Sequence, residues 1–567
     1  MQKRWELKEQ GNTAIVERLS AELSIDKILS NLLAQRSITS FDEAKYFFRP
    51  SLENLYNPFL MKDMDKAVTR IQQAIQKNEN ILVYGDYDVD GTTAVALVYS
   101  FLTSIYTNIS YYIPDRYTEG YGISFQGIDF ASDNDFSLVI ALDCGIKANE
   151  KINYANEKGI DFIICDHHLP GDELPEALAV LDPKRSDCDY PFKELSGCGV
   201  GFKLVQAFAQ KNNIPFQNLL QYLDLLVCSI ASDIVPIVDE NRILAFYGLE
   251  KINKNPRAGI KAILELSALK KNMTISDVVF ILGPRINAAG RIASGKNAVE
   301  LLISDTIENA KTSGQLLNKN NLERKTLDTE ITQHALSIIE SDEILINKKT
   351  TVLFHPEWHK GVVGIVASRL IEKYYRPTIL LTQSNGKATG SARSVKDYDV
   401  YSAIEKCSDL LEQFGGHKAA AGLTMKVENI ELFTERFEKI VSETIEDYML
   451  IPSIEIDAEI NLSDITPKFF RVLKQFAPFG PGNMSPVFIT RKIKDKGYAK
   501  MVGANHLKLE IVSPNDYKQS FSAIAFHQAE HFEKIKSGNA FDICYSIEEN
   551  QWNGEVSLQL NIKDIRC

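Results

Sequence analysis

No stretch of this chain approaches 18 uninterrupted apolar residues, which excludes a membrane-spanning helix. Its eight cysteines show no Cys-x-x-Cys spacing, so neither a zinc ribbon nor a disulfide framework is indicated, and reduced thiols are expected. The start, Met1-Gln2-Lys3-Arg4-Trp5-Glu6, lacks the apolar core of a secretory leader, and a cytoplasmic protein is the expectation. A basic excess is missing too. The net charge of −12 argues against broad wrapping of a duplex and for a narrow groove with local positive charge. Glycine and proline are absent between Gly314 and Pro356, where Leu327, Ile331, Ala335 and Ile338 recur at helical spacing; a long helix bridging two domains is predicted there.

What is present is an unusual crowd of carboxylates. Three aspartates alternate along Tyr84-Gly85-Asp86-Tyr87-Asp88-Val89-Asp90-Gly91, between a predicted strand at 81–83 and a predicted helix from 92. Acids packed at the carboxyl end of a buried strand repel one another unless a multivalent cation neutralises them. The pattern repeats downstream. The apolar run 137–142 leads into Asp143-Cys144-Gly145, and the run 161–165 leads into Asp166-His167-His168. In an open parallel sheet these strand ends line one crevice, so clusters remote in the chain should converge. A further acid, Asp233, lies near the end of the apolar stretch 223–234. A lone Asp before Gly is commonly a turn former, but strand-end placement three times over points to metal. Carboxylate and imidazole donors without thiolate favour Mn²⁺ or Mg²⁺, and several aspartates with few histidines suggest two ions sharing a bridging carboxylate.

With 567 residues there is room for three or four domains. Strand and helix signals alternate from 81 to about 249, giving an α/β unit. A second α/β module follows the long helix, with strands at 351–354 and 378–381 around a helix at 364–373. It carries Gly390-Ser391-Ala392-Arg393-Ser394 and Phe414-Gly415-Gly416-His417-Lys418. These read either as phosphate or terminal-hydroxyl contacts or as a glycine-rich turn before a helix-like Ala419-Ala420-Ala421. From about 454 the texture changes to short strands, which suggests a small barrel of the oligonucleotide-binding kind. There Phe526, His527 and Trp552 are either base-stacking or core residues.

Taken together, these segments resemble the RecJ family of the DHH phosphoesterase superfamily, single-strand-specific 5′→3′ DNA exonucleases. The resemblance rests on Tyr84 to Gly91, Ile113-Pro114-Asp115-Arg116, Asp166-His167-His168, Leu282-Gly283-Pro284-Arg285-Ile286-Asn287-Ala288-Ala289-Gly290-Arg291, Trp358-His359-Lys360-Gly361, the Gly-Gly-His segment and Pro478-Phe479-Gly480-Pro481-Gly482-Asn483. It runs from about residue 45 to the C-terminus. Two departures, Asp115 where Asn is frequent and Val89 where Ala is common, remove no ligand.

The resemblance implies an α/β fold: a DHH domain with a parallel sheet, a long connecting helix, a DHHA1 domain and a C-terminal OB-like β-barrel. The expected divisions are an N-terminal cap at 1–65, DHH catalytic domain at 66–250, helical bridge at 251–345, DHHA1 substrate-binding domain at 346–450 and OB-like nucleic-acid-binding domain at 451–567. It further implies that Asp90, Asp143, His167 and Asp233 hold one Mn²⁺ or Mg²⁺ ion, and that Asp88 and Asp143, with Asp86, hold the second. Asp143 would bridge, His168 would face the scissile phosphate and Asp166 would orient the histidine pair. Arg116, Arg291, Ser391 and Arg393 would grip the 5′ end, Arg285 and Asn287 would support the same loop, and His417 would lie near the substrate. Implied partners are single-stranded DNA with a free 5′ end, a RecQ-type helicase and a single-strand-binding protein, with a monomeric enzyme off the membrane. Shorter relatives, the nano-RNA phosphatases and pyrophosphatases, would lack the barrel, and a replication scaffold of this fold would lack metal ligands.

Overall fold

The computed structural model describes residues 3–267, 269, 271–552 and 555–567, the side chains of 551, 552 and 555 excepted. The chain forms two compact units, one of residues 49–326 with 478–484, the other of the remaining N-terminal segment with 327–477 and 485–567.

The first unit is built on five parallel strands in the spatial order Ile109–Tyr112, Asn80–Gly85, Phe136–Leu142, Asp161–Cys165, Ala179–Leu181. Alternate residues of each strand feed two separate cores. Ile81, Val83, Leu138, Ile140 and Ile163 enter one cluster; Leu82, Tyr84, Val139, Ala141, Phe162 and Ile164 enter the other. Burial on both faces explains why these strands read as unbroken apolar runs. Because the first strand in sequence lies between the second and third, the order reverses beside it. That reversal opens a crevice between the first and third strands at their carboxyl ends. The Val89–Thr103, Gly197–Lys211 and Leu223–Ser232 helices pack around it, each largely buried. The alternation expected to run to 249 stops at Leu181 among regular strands, and helices take over. Asp233 therefore caps a helix rather than ending a strand.

In the second unit a mixed five-stranded sheet runs Leu411–His417, Ala420–Met425, Lys387–Arg393, Thr378–Ser384, Thr351–Phe354. Here one expectation is corrected. Gly415-Gly416-His417 is strand, hairpin-paired to Ala420–Met425, and Ala419 to Ala421 is not helical. Gly416 sits at φ 147°, with the Ala420 carbonyl crowding the place where a Cβ would stand, so close strand pairing accounts for the glycine. The Phe488–Asp495, Phe541–Trp552, Glu555–Arg566, Asp516–Ala525 and His506–Ser513 strands pair in that order, and the last returns to the first. The ring closes into a five-stranded barrel, as an OB fold requires. Phe526 and His527 are exposed on it, His506 packing against both rings at 5.2 and 4.7 Å between centroids. The Trp552 side chain lies outside the described residues.

The long helix is present as Ile307–Glu340, 34 residues, starting earlier than the glycine-free interval and stopping before it ends. A short helix, Glu343–Asn347, capped by Asp342, and the Thr351–Phe354 strand follow within the same interval. Among the described residues no helix is long and apolar enough to cross a membrane.

Candidate metal centre

The crevice collects the acids from four separate chain segments. Asp86 directly follows the first strand and is fully buried. Asp88 caps the next helix, accepting from Gly91 N at 3.0 Å. Asp90, in the first turn of that helix, accepts from Gly197 N and Cys198 N, both at 2.7 Å, and from Ser229 Oγ at 2.8 Å. Two of those donors open the Gly197–Lys211 helix, whose partial positive end suits a carboxylate. Asp143 follows the third strand at φ 59°. A Cβ on Gly197 would stand 2.6 Å from the Asp143 Cβ, so only glycine lets the two segments approach.

His167 is the meeting point. Its Nε2 lies 3.2 Å from Asp143 Oδ1, 3.6 Å from Asp233 Oδ2 and 3.7 Å from Asp90 Oδ2. The structure thus brings Asp90, Asp143, His167 and Asp233 together, and two overlapping ligand groups share His167: Asp90 with Asp233, and Asp143 with His168. Asp86 and Asp88 fall outside those two groups, though Asp88 charges Asp86 and Asp143 electrostatically.

The electrostatics are those of a cation site. Burial first, then Asp88, pushes Asp86 up to about 8; burial and Asp90 push Asp233 up to about 8 as well. Burial and the neighbouring acids hold Asp88 and Asp143 above the ordinary carboxylate range, and burial lowers His167. Asp86 Oδ2, Asp143 Oδ1 and both ring nitrogens of His167 are buried without a hydrogen-bond partner among the described residues. Buried polar atoms are rarely left so, and hard oxygen donors beside one imidazole fit Mn²⁺ or Mg²⁺.

Asp166 does different work. It accepts from His167 N at 2.7 Å, His168 N at 3.2 Å and Ile146 N at 2.9 Å, and its Oδ1 lies 2.8 Å from His168 Nδ1. Burial opposes its charge, but the hydrogen bond and charge of His168 outweigh it and bring Asp166 down to about 2. Burial likewise opposes the imidazolium, yet Asp166 lifts His168 to about 9. The pairing with Asp166 thus favours the protonated imidazole of His168, whose ring is half exposed.

Around this centre, Arg116 stacks its guanidinium 4.2 Å from the Tyr87 ring centroid, and Arg291 also acts on Tyr87 electrostatically. Tyr117 donates to the Arg291 carbonyl. Arg285 is engaged structurally, with Nη1 on Ile281 O at 2.7 Å and Nε on Asn318 Oδ1 at 3.1 Å; Asn287 is half-buried on the same helix. In the second unit Arg393 Nη1 donates to Ser391 Oγ at 2.6 Å, and His417 is exposed at its strand end. Three residues escaped the reading of the sequence. Tyr121 reaches Asp143 O at 3.1 Å and His168 Nε2 at 3.4 Å; Ser196 and Ser229 brace Asp90, 2.6 Å from each other. The glycines beside Tyr121, Gly120 and Gly122 at φ 87° and 76°, were the available sign of a special turn. Ile234, directly after Asp233, is held at φ 60°, a conformation β-branched residues avoid.

Known proteins resemble this chain along nearly its whole length. Models of the DHH family N-terminal domain, the DHHA1 domain and the RecJ OB domain match residues 80–230, 347–443 and 456–564. The single-stranded-DNA-specific exonuclease RecJ of Bacillus subtilis is 35% identical over 99% of this chain and 70% of its own length. The chain belongs to the RecJ family. A RecJ crystal structure from Thermus thermophilus in complex with Mn²⁺ superposes with a TM-score of 0.85 at 26% identity, covering 100% of this chain and 79% of that one. Its Mg²⁺ complex gives 0.79 at 25%, covering 100% and 78%. RecJ chains thus bind the two ions that the donor set here favours.

A pH-dependent prediction follows from the raised carboxylates. Asp86 and Asp233 ionise near pH 4 when unfolded and near 8 when folded without metal, so between those values the folded state holds more protons. Metal-free protein should lose stability as pH rises from 4 to 8. Mn²⁺ should reverse this, adding about 2.7 kcal/mol at a hundredfold excess over its Kd, with the larger rise in Tm at pH 8. Calorimetric melts in chelator and in Mn²⁺ at pH 5 and pH 8 measure both; a metal effect that is larger at pH 5 contradicts the assignment.

Proposed function

We propose that this chain is a single-stranded-DNA-specific exonuclease that works 5′→3′, releases 5′ mononucleotides and acts in recombination and repair. The observation that carries the reading is the convergence of Asp90, Asp143 and Asp233 within 3.2 to 3.7 Å of His167 Nε2, at the sheet's reversal point, in a chain of RecJ kinship. In this reading Asp90, Asp143, His167 and Asp233 hold one divalent ion and Asp88, Asp143 and Asp86 the other, Asp143 belonging to both. When bound, the pair supplies Lewis-acid stabilisation of the phosphoryl oxygens and lowers the pKa of water.

The chain's own residues supply position and charge. Asp166 fixes the His168 ring through Nδ1, which leaves Nε2 with a proton to offer a phosphate oxygen in the crevice. Stacking on Tyr87 holds the Arg116 side chain against entropy, and Arg116 and Arg291 give the otherwise acidic crevice its anion-binding edge. Ser391 and Arg393, already paired, present a hydroxyl and a fork of N–H groups suited to a 5′-terminal phosphate, with His417 nearby on the same sheet. Arg285 and Asn287 hold the helix that presents Arg291. The domain divisions proposed are a cap to 65, DHH to 250, bridge to 345, DHHA1 to 450 and the barrel beyond. We further propose a cytoplasmic monomer working beside a RecQ-type helicase and a single-strand-binding protein, since the substrate must be unwound before this enzyme meets it.

The test is a pair of oligonucleotides labelled at either end. In Mn²⁺ or Mg²⁺ the single strand should be consumed from its 5′ end with label released as mononucleotide, and the matching duplex should survive. Attack from the 3′ end, or equal cleavage of the duplex, overturns the reading.

A further inference from the structure

Beside His168 the first unit holds a cleft of about 560 Å³ whose walls include Leu169, Lys184, Arg185, Lys193 and Glu194. That volume lies within the range of small-ligand clefts and accommodates one nucleotide. Leu169 directly follows His168 and is 70% exposed, an apolar shelf beside the acids. Arg185 is wall rather than ligand. Its Nη1 donates to Asp63 Oδ2 at 2.8 Å and Val180 O at 2.6 Å, and its Nε and Nη2 to Asp187 at 2.9 and 2.8 Å.

The two lysines are different. Lys184 has its backbone N–H fixed on Asp182 Oδ1 at 2.7 Å, but its Nζ is 3.6 Å from Glu194 Oε2, too long for a hydrogen bond. Its charge acts on His167 and Asp233, which sets the cleft alongside the metal centre. Lys193 Nζ is anchored on Cys188 O at 2.6 Å, with further N–H donors to spare. Two ammonium groups lining one cleft with an exposed leucine match an anion joined to an apolar body, which is the chemistry of a nucleotide in a single strand.

We propose that this cleft is a substrate subsite in which Lys184 and Lys193 contact a phosphodiester next to the scissile one and Leu169 carries the attached sugar or base. The proposal rests on the nuclease reading. It is tested with the full chain in Mn²⁺ on single strands bearing one neutral methylphosphonate, walked along the linkages beyond the cleaved one. At one position the neutral linkage should lower wild-type kcat/KM about tenfold, the worth of a charge-assisted contact. Lys184→Gln with Lys193→Gln should be about tenfold slower on ordinary DNA, through KM, and should lose nothing more at that position. Leu169→Ala should behave likewise toward an abasic residue, with circular dichroism and Tm unchanged in each variant. Losses that multiply at every position, a lysine variant as fast as wild type, or an effect confined to inhibition by free mononucleotide overturn the subsite. If wild type fails to cleave unmodified strand, the nuclease reading itself has failed.

Discussion

Asp143→Ala should lower kcat/KM on a single-stranded oligonucleotide by about 10³-fold or more, a loss of ~4 kcal/mol of transition-state stabilisation. Asp143 belongs to both proposed ligand sets, and its Oδ1 is buried with no other hydrogen-bond partner among the described residues. The same substitution should raise the Tm of metal-free protein. Burial and four neighbouring acids, Asp90, Asp88, Asp233 and Asp166, already oppose its charge, so removing it relieves repulsion when no cation is present. Activity and stability therefore move in opposite directions, which separates a ligand from a merely structural carboxylate. Rates on labelled oligonucleotide and melts in chelator measure the two; activity within tenfold of wild type, or a lower metal-free Tm, contradicts the role.

The sheet and the acids were legible in the sequence because one physical fact produced both signals. Strands buried on both faces must be apolar throughout, so 81–83, 137–142 and 161–165 stand out, and the charges that follow them are conspicuous by contrast. Asp233 was found as an acid at the end of an apolar run, but the run is a helix, since periodicity cannot separate a buried helix from a buried strand over ten residues. The Gly-Gly-His segment was ambiguous for a related reason. Glycine signals a turn locally, whereas here the Leu411–His417 strand needs it for close pairing with its neighbour, a tertiary cause with no local sign. Tyr121, Ser196 and Ser229 were missed because a single hydroxyl carries no pattern. Ser196 and Ser229 are recognisable only when the Gly197 helix start and the Leu223–Ser232 helix are seen to meet at Asp90, whereas Tyr121 had only its flanking glycines to mark it.

The first unit also contains a buried ion pair whose disruption should rank among the most damaging single changes to stability. Lys203 Nζ stands 2.6 Å from Glu240 Oε1, and both side chains are 0% exposed. Both groups have further hydrogen-bond partners. Glu240 also accepts from Tyr56 N at 2.9 Å and Tyr190 Oη at 2.6 Å, while Lys203 also donates to Tyr56 O at 3.0 Å and Gln206 Oε1 at 2.9 Å. Burial pulls the Lys203 pKa below its ordinary value despite Glu240, so the ammonium is held there only by its partners. Glu240→Ala strands that cation and two donors in the core of the first unit. The expected cost is ~3–5 kcal/mol, seen as a lower Tm with metal bound. Lys203→Met should cost a similar amount by leaving the carboxylate alone. Combining Lys203→Met with Glu240→Ala should cost clearly less than the two losses summed, because desolvation of both charges disappears along with their attraction. Additive losses in that double-mutant cycle would mean the two groups act independently, in conflict with a 2.6 Å pair shielded from water.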